Sequence, residues 1–265
     1  MQLSQLMAGF NLFGRNHRVA RDLSYGPDPA MLLDIYRPRS GGTRLPVVIF
    51  WHGGSWKGGT KNRYAFMGAA LAMMGCVAVI VEYRKYPAVR YPVFAQDGAL
   101  AVAWVREEIV KYGGDPRRLF LMGHSAGTHT AAMLAYRPEY LRDVKVPADS
   151  LRGFIGLSGP YDFFPRPDLR PIFPIDDPAR PWCLQEVEST TLPALLLHGR
   201  LDYIVSFQIS QRFAATVRKA GAAAELHVFW FLEHFTMVTA YALPMRLVLR
   251  PWRITKAFIA SQSQN

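Results

Sequence analysis

Two cysteines in 265 residues, Cys76 and Cys183, lie far apart in unlike settings, with no metal-ligand spacing and no disulfide framework. Such sparse cysteine usage fits a reducing compartment, and a cytoplasmic location is the expectation. No apolar run reaches the ~20 residues that a membrane-spanning helix needs. Met1 to Phe13 lacks a basic start and a continuous apolar stretch, so it does not read as a secretory signal. Acidic residues are also scarce: 20 Asp and Glu against 31 Lys and Arg leave a formal charge of +11. That excess raises the question of nucleic acid or an anionic membrane as partner. The arginines are scattered, however, with no basic block of the kind that tracks a phosphate backbone, so nucleic acid is not an expected partner.

What is present is a chain that is 50% hydrophobic, long enough to bury a full core as one large α/β domain over residues 1–265. Leu3, Leu6, Met7, Phe10 and Phe13 recur at helical spacing, which suits a helix packed on the body better than an interfacial anchor. At the other end, Arg246, Arg250, Arg253 and Lys256 alternate with Leu247, Val248, Leu249, Trp252, Ile254 and Phe258. This reads as a core-packed terminal helix with a solvated basic face, in preference to a membrane-surface helix.

Between the ends, short runs rich in Val, Ile and Leu recur at Leu32–Tyr36, Val47–Trp51, Val77–Val81, Leu119–Met122, Phe154–Leu157, Ala194–Leu197 and Leu226–Phe229. Helix-like stretches separate them: Tyr64–Met74, Phe94–Lys111, Ser125–Ala135, Phe207–Lys219, and a last one ending near Ala260. Apolar strands without clean alternation, alternating with helices, predict a mostly parallel sheet covered on both faces. Two segments break the rhythm. Gly26-Pro27-Asp28-Pro29 is a tight turn, and Pro160 to Trp182 carries seven prolines interleaved with Tyr161, Phe163, Phe164, Phe173 and Trp182. That proline density forbids a regular helix or central strand, while the aromatics argue against disorder. The segment 160–182 therefore predicts an ordered irregular cap over a pocket.

The most informative motif is Gly123-His124-Ser125-Ala126-Gly127, placed after an apolar strand and before a helix. A serine on such a sharp strand-to-helix turn has its hydroxyl exposed, and the flanking glycines let the backbone pass close to its neighbours. A serine hydroxyl is a poor nucleophile near neutral pH, so it needs an imidazole base and a carboxylate to orient that base. Asp202 closes the strand-and-turn run Ala194 to Leu201, where catalytic groups gather in open α/β sheets. Asp176, Asp177 and Glu186 are weaker candidates because they sit in the irregular segment. Four histidines follow the serine. His129 lies on the helix that Ser125 opens, His198 closes a strand, and His227 sits inside an apolar strand pattern. His234 remains, in the loop after the last strand.

A developing oxyanion also needs backbone donors. Ala126 follows the nucleophile, and the strand Val47–Trp51 is followed by His52-Gly53-Gly54-Ser55-Trp56. No phosphate-binding glycine pattern is present to compete with that reading.

Taken in order, His52-Gly53-Gly54, Tyr112-Gly113-Gly114-Asp115-Pro116, the Ser125 pentapeptide, His198-Gly199 with Asp202, and His234 resemble the α/β-hydrolase superfamily. The likeness is to its H-G-G carboxylesterase branch, which includes hormone-sensitive-lipase-like and kynurenine formamidase-like enzymes, and it extends from about Tyr25 to Phe258. It implies a mostly parallel eight-stranded sheet with helices on both faces and a short irregular cap. It further implies Ser125 as nucleophile, His234 as base, Asp202 as orienting acid, and an oxyanion hole from Gly53, Gly54 and Ala126. Ser55 stands where the lipase-like pattern has a third glycine, which leaves open whether its own N–H donates. Trp56, His124, Tyr161, Phe163 and Phe164 are the expected pocket residues. No metal or cofactor is expected. The activity implied is hydrolysis of small to medium carboxylic esters through an acyl-enzyme, with N-formylkynurenine amide hydrolysis, or a non-catalytic binding role, as the alternatives.

Overall fold

Runs of Val, Ile and Leu long enough to cross a sheet, but too short for a stable helix, form the central strands. The computed structural model describes residues 17–176, 184, 187 and 190–263. Among these are eight strands: β1 (Arg18–Ser24), β2 (Leu32–Tyr36), β3 (Leu45–Trp51), β4 (Val77–Val81), β5 (Gly114–His124), β6 (Leu151–Leu157), β7 (Ala194–Gly199) and β8 (Ala224–Phe229). They form one sheet in the order β1-β2-β4-β3-β5-β6-β7-β8. The first two pairings, β1 with β2 and β2 with β4, are antiparallel, and all later ones are parallel.

The helices are α1 (Ala65–Met73), α2 (Val93–Glu108), α3 (Ala126–Tyr136), α4 (Pro138–Asp143), α5 (Phe207–Lys219), α6 (His234–Thr239), α7 (Met245–Val248) and α8 (Pro251–Gln262). Because side chains alternate across each strand, the sheet divides the core in two. Val47, Ile49, Trp51, Leu121, Phe154 and Leu196 pack with α2, α3 and α5 on one face. Val48, Phe50, Ile80, Met122, Ile155 and Leu197 pack with α1 and α8 on the other.

The apolar runs named above all became strands, several extended by a few residues. β1 carries no such run: Arg18, Arg21 and Asp22 interrupt it, and it is an edge strand with one neighbour, so it buries little. The C-terminal helix is core-packed, with Pro251, Thr255, Phe258 and Ile259 buried. The amphipathic stretch Met1 to Phe13 lies outside the described residues, as do Cys183, Trp182, Asp177 and Glu186. The described part of the irregular segment, 160–176, has turns but no helix, and it buries Ile172 and Phe173 completely.

One local geometry sets where everything else must stand. Ser125 takes φ 54° and ψ −123° between β5 and α3, a left-handed backbone that costs a non-glycine residue ~1–3 kcal/mol. The turn is held by Ser125 N–H donating to Leu157 O at 2.9 Å and by the Thr128 hydroxyl donating to the same oxygen at 3.0 Å. It closes only because Gly123 and Gly127 lack side chains. A Cβ at Gly123 would lie 2.4 Å from the Gly127 carbonyl, and one at Gly127 would lie 2.1 Å from Trp51 O. Both obstacles are backbone, which cannot rotate aside. Gly127→Ala is therefore expected to destabilise the fold by about 1–3 kcal/mol or more, as overpacking does. Urea unfolding checks this, and a midpoint equal to that of the parent chain would show that the β3–α3 contact has slack.

Candidate active site

The parallel strands end on one edge of the sheet, and the loops leaving β3, β5, β7 and β8 meet there. The loop after β7 turns back with Asp202 N–H donating to Gly199 O at 3.2 Å. Asp202 Oδ1 accepts the N–H groups of Ile204 and Val205 at 3.0 and 2.9 Å, which fixes the carboxylate plane. The loop after β8 ends in a capping box: Glu233 accepts from Thr236 N–H at 2.7 Å and donates its own N–H to the Thr236 hydroxyl at 2.7 Å. His234 is the first residue of the short helix so capped.

These loops bring Ser125, His234 and Asp202 into one hydrogen-bonded line. His234 Nδ1 lies 2.8 Å from Asp202 Oδ2, and His234 Nε2 lies 2.9 Å from Ser125 Oγ. An ionised carboxylate only accepts, so Nδ1 carries the proton and Nε2 presents its lone pair to the serine hydroxyl. Burial pushes the Asp202 carboxyl up, but hydrogen bonds from His198, His234 and the Val205 amide outweigh it and hold the group well below the ordinary carboxylate range. The acid is therefore ionised throughout the neutral range.

His198, which the sequence marks as a strand-end histidine and not as the base, touches the acid. It is fully buried, with Nε2 2.9 Å from Val205 O and 3.2 Å from Asp202 Oδ2, and Nδ1 2.7 Å from the Ser210 hydroxyl. Two acceptors on the Nε2 side and a hydroxyl on the other fix an Nε2–H tautomer that braces the same carboxylate oxygen that His234 Nδ1 meets. Only its pairing at i, i+4 with Asp202 in a turn hinted at this. His129 is buried edge-on to Trp56, Phe163 and Phe173, and His227 sits at the surface near Glu225. Asp176 is exposed.

The loop after β3 is anchored by charge. His52 Nε2 lies 2.9 Å from Glu82 Oε1, and Glu82 Oε2 accepts the Lys61 N–H at 2.9 Å. Burial raises the Glu82 carboxyl, but His52 and Lys85 bring it down to about 2. The buried Lys61 ammonium sits 2.6 Å from Asp34. On this base, Gly53 packs so close to the elbow that a Cβ there would lie 3.0 Å from Ser125 Cβ.

Burial pushes the Tyr64 phenol up to about 12, with the nearby Gly53 amide working against it. Among the described residues, the N–H groups of Gly54, Ser55 and Ala126 have no intramolecular acceptor. Tyr64 Oη also lies 3.3 Å from His124 Nδ1, and His124 Nε2 lies 3.0 Å from His234 O. A carbonyl only accepts, so His124 donates through Nε2. The tyrosine and this histidine thus tie the β3 loop to the backbone of His234.

Two clefts meet at Ser125. One, of about 120 Å³, is lined by Trp56, Phe163, Phe164, Leu169 and Ile209 with Ala126 at its base. Phe163 stacks on Trp56 at 5.7 Å, and Phe173 meets Trp56 edge-on at 4.6 Å. The other, of about 160 Å³, is lined by Gly54, Arg63, Tyr64, His234 and Phe235. Ser55 borders both. Trp56, Phe163 and Phe164 therefore stand where the sequence suggested. Tyr161 does not: it is buried behind the cleft and stacked on Phe213 at 4.1 Å. His124 borders the second cleft but is only 1% exposed, and it acts on His234 from behind.

Burial beside His234 lowers the His124 imidazole to about 3, against ~6.5 in an unfolded chain. Between those values the unfolded chain binds a proton that the native state refuses, so stability is full above pH ~6.5 and falls as the pH drops toward 3. Comparing urea unfolding at pH 7 and pH 5, His124→Gln is expected to remove about 2 kcal/mol of the acid-induced loss. An identical pH dependence in the two proteins would mean that His124 is protonated in the folded state.

The sequence pattern of the BD-FAE family matches residues 33–166, half of the chain. A probable isoprenylcysteine alpha-carbonyl methylesterase of Oryza sativa subsp. japonica is 32% identical over 253 residues, covering 84% of this chain and 61% of the relative. The chain thus spans about three-fifths of that protein's length. Kynurenine formamidase of Danio rerio is 33% identical over 147 residues, 54% of this chain and 47% of its own length. Among solved structures, butyrate-bound esterase 2 of Thermogutta terrifontis superposes with a TM-score of 0.72 at 22% identity, covering 90% of this chain and 92% of its own. That likeness shows the α/β-hydrolase fold, and the family match extends through the β3 loop, the elbow and the start of the cap. The chain belongs to the BD-FAE family of α/β-hydrolase esterases.

Proposed function

We propose that this chain is a serine carboxylesterase, with Ser125 as nucleophile, His234 as general base and acid, and Asp202 as the carboxylate that orients it. The reading is carried by the line Asp202 Oδ2, His234 Nδ1 and Nε2, Ser125 Oγ, with steps of 2.8 and 2.9 Å, on a serine held in a strained elbow. In the first half-reaction the Ser125 Oγ–H proton passes to His234 Nε2 as Oγ bonds to the ester carbonyl carbon. The carbonyl oxygen takes up negative charge within reach of the Gly53, Gly54 and Ala126 amides, with the Ser55 N–H, which also lacks an intramolecular acceptor, beside them. Collapse of this adduct breaks the carbon–alkoxy bond, and His234 returns its proton to the departing alcohol. Water, deprotonated by the same imidazole, then releases the acid.

The proton route orients the substrate. His234 borders the second cleft and not the first, so the leaving alcohol occupies the cleft of Arg63, Tyr64 and Phe235. The acyl group then lies among Trp56, Phe163, Phe164 and Leu169. About 120 Å³ of apolar space suits a short to medium acyl chain. The propionate-bound and butyrate-bound forms in which the Thermogutta esterase was solved support that size. A formyl group would leave the same aromatic walls uncovered, which favours ester over formamide despite the fish formamidase relative. The Cys76 thiol, pushed up to about 12 by burial, is chemically quiet.

Ser125→Ala is expected to abolish turnover of p-nitrophenyl butyrate while thermal unfolding stays within a few degrees of the parent. Parent-level turnover in that variant would remove Ser125 from the chemistry. Across formyl, acetyl, propionyl and butyryl esters of one alcohol, kcat/KM is expected to rise by roughly 10-fold or more, since each buried CH₂ contributes ~0.8 kcal/mol. A maximum at formyl, together with faster hydrolysis of N-formylkynurenine, would replace esterase by formamidase.

A further inference from the structure

Large apolar side chains are turned to solvent on the two loops that carry Asp202 and His234. Phe231 is 90% exposed, Tyr203 79%, Trp230 66% and Leu201 58%, and Ile204 is exposed beside them. Single exposed apolar residues are ordinary; five within two short catalytic loops are not. The loops form one surface. Arg200 N–H donates to Phe229 O at 2.8 Å, Leu201 N–H donates to Leu232 O at 3.1 Å, and the Arg200 guanidinium lies 4.3 Å from the Trp230 ring centroid. Ile204 and the 68% exposed Phe164 bring the patch to the mouths of the clefts.

The carboxylates on these loops are engaged, Asp202 with His234 and Glu233 with the Phe235 and Thr236 amides, while two guanidinium groups on the rim are not. Arg200 rests on Trp230 and Phe207, and Arg63 lines the second cleft; neither has an ion pair among the described residues. The whole chain carries +11. Apolar aromatics interleaved with arginines are the chemistry of a headgroup boundary, where rings enter the upper acyl region and cations meet anionic lipid. A symmetric dimer through the same face would bring the unpaired arginines of both copies together, which the charge opposes.

We propose that this face docks on an anionic lipid surface, with Trp230 and Phe231 entering the bilayer and both clefts opening toward it. No helix among the described residues is long and apolar enough to cross a membrane, so the contact is peripheral. It lies on the catalytic loops and not on the basic C-terminal helix, whose apolar side is spent on the sheet. If the esterase reading holds, a lipid-soluble ester reaches Ser125 from the bilayer without crossing water.

The test needs no turnover and is run on the full chain and on its Ser125→Ala form, so that loss of the esterase reading leaves it intact. Each is sedimented with phosphatidylcholine vesicles and with vesicles that also contain phosphatidylglycerol. Binding is expected to the anionic vesicles, to weaken with added salt, and to fall roughly 10-fold or more in a Trp230→Ser/Phe231→Ser variant of unchanged melting temperature. The single Phe231→Ser variant, altering the most exposed ring, serves should the pair unfold. Wild-type protein remaining in the supernatant with both vesicles, or binding that the substitutions leave unchanged, overturns the proposal. A concentration-dependent dimer that the substitutions dissociate also overturns it, by giving the face to a second copy of the chain.

Discussion

Close approach of backbone to backbone governs this site. Ser125 can stand in a left-handed turn only if Gly127 slides under the Trp51 carbonyl and Gly123 passes Gly127. That contact fixes the distance between β3 and the start of α3, and with it the separation of the β3 loop from Ser125. Gly53 then lies against Ser125 Cβ, and the amides of Gly54, Ser55 and Ala126 have no intramolecular acceptor among the described residues. A hydrogen bond can lengthen by a few tenths of an ångström at small cost. Carbonyl atoms in contact cannot, so the steric closure sets the frame and the polar groups adjust to it.

Around the frame, each chemical group is held by partners that do no chemistry themselves. Asp202 is gripped by two backbone amides and by His198, so its carboxylate presents one fixed oxygen to His234. His124 holds the His234 carbonyl, and Tyr64 couples that histidine to the β3 loop. Glu82 does the same for His52 and Lys61. Preorganisation of this kind means that little has to move when charge develops on a bound carbonyl. The cost is a set of buried polar groups, which are stable only while all of their partners remain in place.

Much of this was legible in the chain. The elbow motif and the strand-helix alternation depend on local spacing, which a sequence displays, whereas Asp202 and His234 were legible from their places after later strands in the chain order that the resemblance implies. Trp56, Phe163 and Phe164 were found for a related reason: bulky aromatics next to the glycine loop and in the cap have few other places to go. The failures have a common origin. Tyr161 lies two residues before Phe163 and resembles it in kind, yet its ring turns inward onto Phe213, a residue 52 positions away that no spacing rule links to it. His198 looked like an ordinary strand-end histidine because its partner Ser210 belongs to α5.

The sequence by itself determined the architecture and the elbow motif that singles out Ser125, since hydrophobic periodicity and glycine placement act over a few residues. Tertiary structure decided that Ser125, His234 and Asp202 meet in one hydrogen-bonded line, that His198 and His124 hold Asp202 and His234, that two clefts open at Ser125, and that the apolar residues of two loops form one exposed surface. Each of those outcomes depends on side-chain direction across the ends of β3, β7 and β8, and direction is settled only when the sheet has brought those ends together.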